Sequence, residues 1–272
     1  MTIGDMSWAR RPRDYVSVRG PDSEDYLQRM VSNDVAVVAA GGSCEALLLT
    51  PKARVIAPLV VVRRAADDFL LLTEPGLGAR VAEELVRFRF AAKTEIAAET
   101  HESLVVLNPE RPDPATAGLG IPTADYGEPG LELVDGEPPP GARELSGEEL
   151  DLLRIRAGTP RWGNEVDDRV FPAEAGLVER AVSLTKGCYP GQEPIARLHY
   201  RGHANRGLRV LVLDGETVPE PDAEIRHGEK PVGRVTSAAR EDGHVLALGY
   251  VRTEVPADAV LEVGGAAARP LD

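Results

Sequence analysis

The stretch TKGCYPGQEPIARLHYRGH, residues 185–203, stands where two kinds of sequence meet, and its cysteine poses the functional question. Gly187 and Gly191 allow tight turns and close backbone approach, and the residues from Gly191 to Arg197 suit the opening of a helix. A helix N-terminus and the Lys186 cation two positions before Cys188 both favour a thiolate, so the spacing predicts a lowered Cys188 pKa. The competing reading is a small buried hydrophobe, a common fate of a free cysteine. From Lys186 to Arg209 five basic residues face one acid, Glu193, a local positive excess that suits a small anionic ligand.

Downstream the style changes. GLRVLVLDG, AEIRHGEKPVGRVTSA, GHVLALGYVR and AVLEVGG are short alternating runs separated by Gly, Pro and Asp turns, which predicts a small all-β barrel or sandwich over 205–272. Upstream, DYVSVRG alternates and stops at a glycine, as a strand does, and Tyr26, Leu27, Met30 and Val31 then recur at helical spacing behind Pro21. EALLLTPKARVIAPLVVVRR gives two strands about a Thr50-Pro51-Lys52 turn, and DDFLLLT gives another. GLGARVAEELVRFRF places Leu77, Val81, Leu85 and Phe88 on one helical face, after which AKTEIAAE and ESLVVLN return to strand. Residues 108–141 are rich in proline and glycine and predict a connector, with a short strand or two, between two lobes of a region spanning 1–204. SGEELDLLRIRAG resumes helix, with Ser146 and Glu149 placed for a capping box and Gly158 for the stop. The order is that of an α+β fold, helices packed on one face of mainly antiparallel sheet.

Composition bounds the function. A chain of 272 residues can bury a substantial core without staples, and Cys44 and Cys188 form neither a disulfide framework nor a zinc-ligand spacing. The formal net charge of -13 argues against a general nucleic-acid surface. No stretch approaches the roughly 18 apolar residues of a membrane span, and the basic N-terminus carries no apolar leader. The expectation is a soluble protein of the reducing cytosol (cytoplasmic), with no direct nucleic-acid partner and no membrane partner.

Other residues compete for a role. Glu174, flanked by Ala173 and Ala175, needs a partner once desolvated; adjacent N-H donors of a flat heterocycle would satisfy it, and so would a helix start or an arginine. Trp162 is either a packed or domain-contact aromatic or a stacking platform. His199 and His203 lack a metal-ligand pattern and stand among Arg197, Arg201 and Arg206, so no metal site is expected. GLGAR, residues 76–80, lacks the features of a phosphate cradle.

KGCYPGQE, followed by AR and then RG, resembles the signature of the YgfZ-type folate-binding proteins, relatives of the glycine cleavage T-protein aminomethyltransferase (the YgfZ/GcvT superfamily). VRGPDSEDYLQRMVSNDV, LLLTPKARV and RIRAGTPRWGNEVDDRVFPAEAGL resemble other segments of that superfamily. The resemblance implies a ring of ferredoxin-like α+β lobes around a central channel that binds tetrahydrofolate, plus a C-terminal β-barrel. It implies a role in assembly or repair of iron-sulfur clusters in client proteins, among them radical enzymes of tRNA modification, with Cys188 and Lys186 as the reactive thiol and amine. Glu174 then corresponds to the carboxylate that holds the pterin ring, and Arg197, Tyr189 and Trp162 complete the folate set, Arg197 facing the anionic glutamate tail. The loop EPGLGAR lacks the aspartate that T-protein sets near the reactive folate nitrogen and offers only Glu74, which weighs against aminomethyl transfer, the alternative activity.

Overall fold

The computed structural model describes residues 6–108 and 118–271. In chain order the first elements are β1 (Ser7–Arg10), β2 (Asp14–Arg19), α1 (Ser23–Met30), β3 (Ser43–Leu49), β4 (Val55–Ala65), β5 (Asp68–Thr73), α2 (Gly78–Arg87) and β6 (Glu95–Glu99). Next come β7 (Ser103–Leu107), β8 (Leu119–Thr123), β9 (Gly130–Val134), β10 (Arg143–Glu144), α3 (Gly147–Arg156), α4 (Val178–Ala181) and α5 (Gln192–Arg201). The chain finishes with β11 (Arg206–Asp214), β12 (Glu224–His227), β13 (Lys230–Glu241), β14 (His244–Arg252), β15 (Leu261–Val263) and β16 (Ala266–Pro270).

The first sheet runs β3-β4-β5-β2-β6, all antiparallel. Alternation along β2 sends Val16 and Val18 to one face, where α1 and α2 cover them with Tyr26, Leu27, Val81 and Leu85. Tyr15 points to the other face and joins Val62, Leu70 and Leu72 against Ile121 and Val134. Each such fully buried aliphatic side chain contributes about 1.5–3 kcal/mol of transfer free energy. Helix α2 ends at Arg87, so Phe88 falls past its last turn and is exposed instead of joining Leu77, Val81 and Leu85 in the core.

The second sheet, β10-β1-β7-β9-β8, draws its strands from distant parts of the chain: Trp8 of β1 pairs with Val106 of β7. Residues 109–117 of the expected connector lie outside the described residues, but its remainder is built into this sheet. Strands β8 and β9 pair from Leu119↔Val134 to Thr123↔Gly130, and β9 pairs in turn with β7. The short strands expected within the connector are β8 and β9; their place inside a five-stranded sheet is not legible in the sequence because each is only five residues long.

The third unit is a closed barrel, β11-β14-β13-β12-β15-β16, filled by Leu211, Ile225, Val235, Val245 and Ala247. Helix α3 begins with the full capping box, Ser146 Oγ accepting from Glu149 N at 3.1 Å while the Glu149 carboxylate accepts from Ser146 N at 2.8 Å. It packs two ways: Leu153 meets the second sheet, and Ile155 meets Leu246 and Leu248 on the outside of the barrel. Buried Arg154 locks this junction, donating to Glu165 at 2.9 Å and to Ser237 Oγ at 3.0 Å, while Ser237 Oγ donates to Glu165 at 2.6 Å. Among the described residues no helix is long and apolar enough to cross a membrane.

Candidate functional site: a charged cavity between the sheets

Between the two sheets, α3 and the loop 159–166 lies a cavity of about 560 Å³. Pro12 forces the crossover from β1 to β2, and the arginines around it, Arg11 and Arg13, line the cavity with their side chains almost fully buried. Strand β3 adds Cys44 and Glu45, the loop after β5 adds Glu74, the β8–β9 turn adds Asp125 and Tyr126, and β9 adds Glu132. Leu59, Val60, Ile121, Leu150, Val166 and Leu177 make the apolar wall, with Trp162 beside them.

The charges form a ladder. Arg13 meets both Glu132 oxygens at 3.0 Å and donates to Glu74 at 2.9 Å. Arg11 donates to Asp125 at 2.8 Å and to the Tyr126 hydroxyl at 2.9 Å. Arg180, within α4, bridges Glu45 at 2.7 Å and Asp125. Burial alone would push both buried carboxyls up, but Arg13 and Arg11 outweigh it at Glu132, and Arg11 and Arg180 outweigh it at Asp125, so both are held below the usual carboxylate range. Asp125 and Glu132 are therefore ionised at neutral pH. Glu45 and Glu74 line the cavity, and among the described residues Glu45 Oε2 and Glu74 Oε2 take no hydrogen bond.

Of the thiol, amine and folate-set residues expected from sequence, Cys188, Lys186, Glu174, Arg197, Tyr189 and Trp162, Trp162 alone lines this cavity, with the Arg80 guanidinium 5.7 Å from its ring centroid; Glu74 of the loop after β5 lines it too. Glu174 does not: its two oxygens accept from Arg206 at 3.1 and 3.2 Å and from Phe171 N at 3.1 Å, the arginine partner that the sequence left open beside the pterin one. Arg197 is exposed on α5, away from the cavity lining. Tyr189 is buried among Leu47, Leu49 and Ile195, and its hydroxyl finds no hydrogen-bond partner among the described residues.

Lys186 is not the cation expected beside Cys188. It is buried, and its Nζ donates to the carbonyls of Val31 at 2.8 Å and Asn33 at 2.6 Å, tying the signature turn to the end of α1. Burial lowers its pKa to about 8. The thiol that feels this ammonium is Cys44, which burial pushes up to about 11 with Lys186 offsetting part of the rise. Cys188 itself is exposed, which overturns the buried-hydrophobe reading, and it stands before α5, whose N-cap is Gly191.

Sequence reasoning missed Arg11, Arg13, Glu45, Asp125, Glu132 and Arg180. A signal existed in WARRPRDY, arginines clustered round a proline beside strand-forming residues, and in LEL at 131–133, where Glu132 points to the face opposite two leucines. What brings these segments together is sheet topology, which no local pattern encodes. Among the described residues no group of three or more His, Cys, Asp and Glu side chains is placed to hold a metal ion.

Residues 205–272 match the family model described as CAF17, C-terminal beta-barrel domain. The chain is 28% identical to the tRNA-modifying protein YgfZ of Edwardsiella ictaluri, over 91% of this chain and 85% of that protein. It is 27% identical to an aminomethyltransferase of Moorella thermoacetica, over 87% of this chain and 75% of that one. The crystal structure of glycine cleavage system aminomethyltransferase T from Bartonella henselae matches 98% of this chain and 85% of its own with a TM-score of 0.81 at 19% identity, a likeness that carries the fold.

Proposed function

From its standing as a YgfZ/GcvT-like protein, we propose that this chain is a tetrahydrofolate-binding accessory factor for the assembly or repair of iron-sulfur clusters in other proteins. The observation that carries the reading is the separation of two features: a charged, half-apolar cavity inside and a free thiol, Cys188, outside it on an exposed turn. The residues present suit a reduced folate. The cavity of about 560 Å³ falls in the range of pockets for ligands of that size. Its apolar wall and Trp162 match a flat ring, and Glu45 Oε2 and Glu74 Oε2 match ring N-H donors. Arg10 and Arg161, also in the lining, match the carboxylates of the tail. When bound, a reduced folate supplies ring nitrogens that carry one-carbon groups; the protein's part is to hold and desolvate it.

A surface thiol outside the cavity is accessible to a macromolecule. One thiolate does not hold a cluster, which ordinarily takes several, so Cys188 acts as a transient ligand or redox partner toward a client. Calorimetric titration with 5-formyltetrahydrofolate tests the first half: we expect one site per chain, weakened about tenfold by Glu45→Gln. Complementation tests the second. Cys188→Ala should bind folate as before yet fail to restore cluster enzymes in a deletion strain, and full restoration would refute the thiol's role.

A second reading, folate-dependent aminomethyl transfer, is favoured by one observation: Glu74, in the loop after β5, lines the cavity. Its carboxylate is engaged by Arg13, which disfavours proton transfer by that group. Brisk formation of methylenetetrahydrofolate from tetrahydrofolate and an aminomethylated lipoyl carrier would establish this reading over the first.

A further inference from the structure

A second concavity, about 390 Å³, lies between the segment 171–179 and α5 and shares no lining residue with the central cavity. We propose that it is the docking groove for a short acidic, apolar peptide segment of a partner protein. Its floor and walls are apolar: Phe171, Val178, Pro194, Ile195 and Leu198. The groove-lining positions of α5, residues 194, 195, 198 and 199, form one helical face that the C-cap Gly202 continues. Helical spacing sets Arg197 and Arg201 on the flank next to Pro194, with His199 on the opposite flank and His203 just beyond the helix.

The charge is what selects the occupant. Arg197 and Arg201 are exposed and, among the described residues, their guanidinium groups make no ion pair or hydrogen bond, whereas Arg11, Arg13, Arg64, Arg154, Arg180 and Arg206 are all paired with carboxylates. Among the described residues, Glu179 is the only acid lining the groove. Tyr200, 67% exposed, falls on the face of α5 opposite the groove. An apolar cleft with free guanidiniums on its flank suits a segment that combines apolar side chains with carboxylates, and carboxylates on the partner would complete it. An extended polyanion fits less well, because the chain's net charge of -13 repels nucleic acid and anionic membrane while a short segment samples only the local positive field.

The test is a random dodecapeptide display library selected against the full-length protein, with enriched peptides synthesised, labelled and titrated by fluorescence anisotropy. Enriched sequences should combine apolar residues with two or more carboxylates. Their affinity should fall at least about tenfold for the double variant Arg197→Glu, Arg201→Glu and for Leu198→Asp. Lysine-substituted versions of the same peptides should then prefer the charge-reversed protein. Circular dichroism melts check that the variants fold; if Leu198→Asp does not, the charge-reversed variant decides, since its two side chains are exposed. The proposal is overturned if wild type and charge-reversed protein enrich the same sequences, if enriched peptides are basic, or if an oligouridylate or phosphatidylserine vesicles bind more tightly than any peptide.

Discussion

The Arg206 guanidinium meets the Glu174 carboxylate side-on, Nε to Oε1 at 3.1 Å and Nη2 to Oε2 at 3.2 Å. Arg206 opens the barrel's first strand and Glu174 sits in the loop before α4, so the pair fastens the barrel to the body of the molecule. Glu174 is largely screened from water while the Arg206 side chain is 32% exposed, so Glu174→Gln should cost about 1–2 kcal/mol in urea denaturation, between the values for exposed and buried pairs. The affinity for 5-formyltetrahydrofolate should stay within about twofold of wild type. A variant of undiminished stability that no longer bound folate would return Glu174 to the ring.

His101 gives a pH dependence with a worked sign. Its ring nitrogens lie 2.6 Å from Asp135 and 2.8 Å from Glu99, joining the first sheet to the second. Burial lowers the His101 pKa, but the bonds to Glu99 and Asp135 outweigh it and the net shift is upward. The stabilisation is therefore complete below the ordinary value of about 6.5 and is lost as pH rises through the raised one. Glu99 works in the opposite direction: Arg64 above all holds it at about 2, so its contribution is present above the ordinary carboxylate range and is lost as pH falls toward that value. The melting temperature should decline on both flanks between pH 3 and 9, by the order of a few degrees per unit of free energy lost. His101→Gln should flatten the neutral-to-alkaline decline and leave the acid one, because Arg64 remains on Glu99.

The two cysteines should separate cleanly by alkylation. Cys188 is exposed, whereas Cys44 is half-buried in the cavity wall with its pKa pushed up to about 11 by burial. Brief iodoacetamide treatment at pH 7.5 followed by peptide mapping should label Cys188 alone, and Cys188→Ala should take up almost none until urea unfolds it. Prompt labelling of Cys44 in the folded variant would contradict the placement of that thiol. A reduced folate in the cavity should slow Cys44 labelling further and leave the Cys188 rate unchanged.

The legible part of this protein is local. The capping box of α3, the hairpin around Thr50-Pro51-Lys52 and the barrel's short strands each follow from patterns a few residues long, and each is present. The cavity is non-local: Arg11 meets Asp125 across more than a hundred residues because β1 joins the second sheet and β2 the first. Proximity in sequence misled at Lys186, two residues from Cys188 but turned into the core, where the carbonyls of Val31 and Asn33 satisfy an ammonium that a surface turn would leave to water. The basic count from Lys186 to Arg209 likewise dispersed. Arg206 went to Glu174, Arg209 to the carbonyls of Val255 and Pro256, and Arg197 and Arg201 to an open surface.

Gly191 supplies the last prediction, because two independent constraints meet there. Its φ is +84°, a conformation that costs an L-residue strain, and it caps the start of α5. A Cβ at this position would also lie 2.8 Å from the Thr50 carbonyl oxygen and 3.0 Å from Ala53 Cα, both backbone atoms of the β3–β4 turn that cannot swing aside. Gly191→Ala should therefore destabilise the protein by about 1–3 kcal/mol and shift the denaturant midpoint accordingly. Gly187, in the same signature, has no atom within 4 Å of its would-be Cβ and an ordinary φ, so Gly187→Ala should stay within about 0.5 kcal/mol of wild type. Equal effects at the two glycines would mean that α5 does not start against the β3–β4 turn, and the position of Cys188 relative to the core would have to be redrawn.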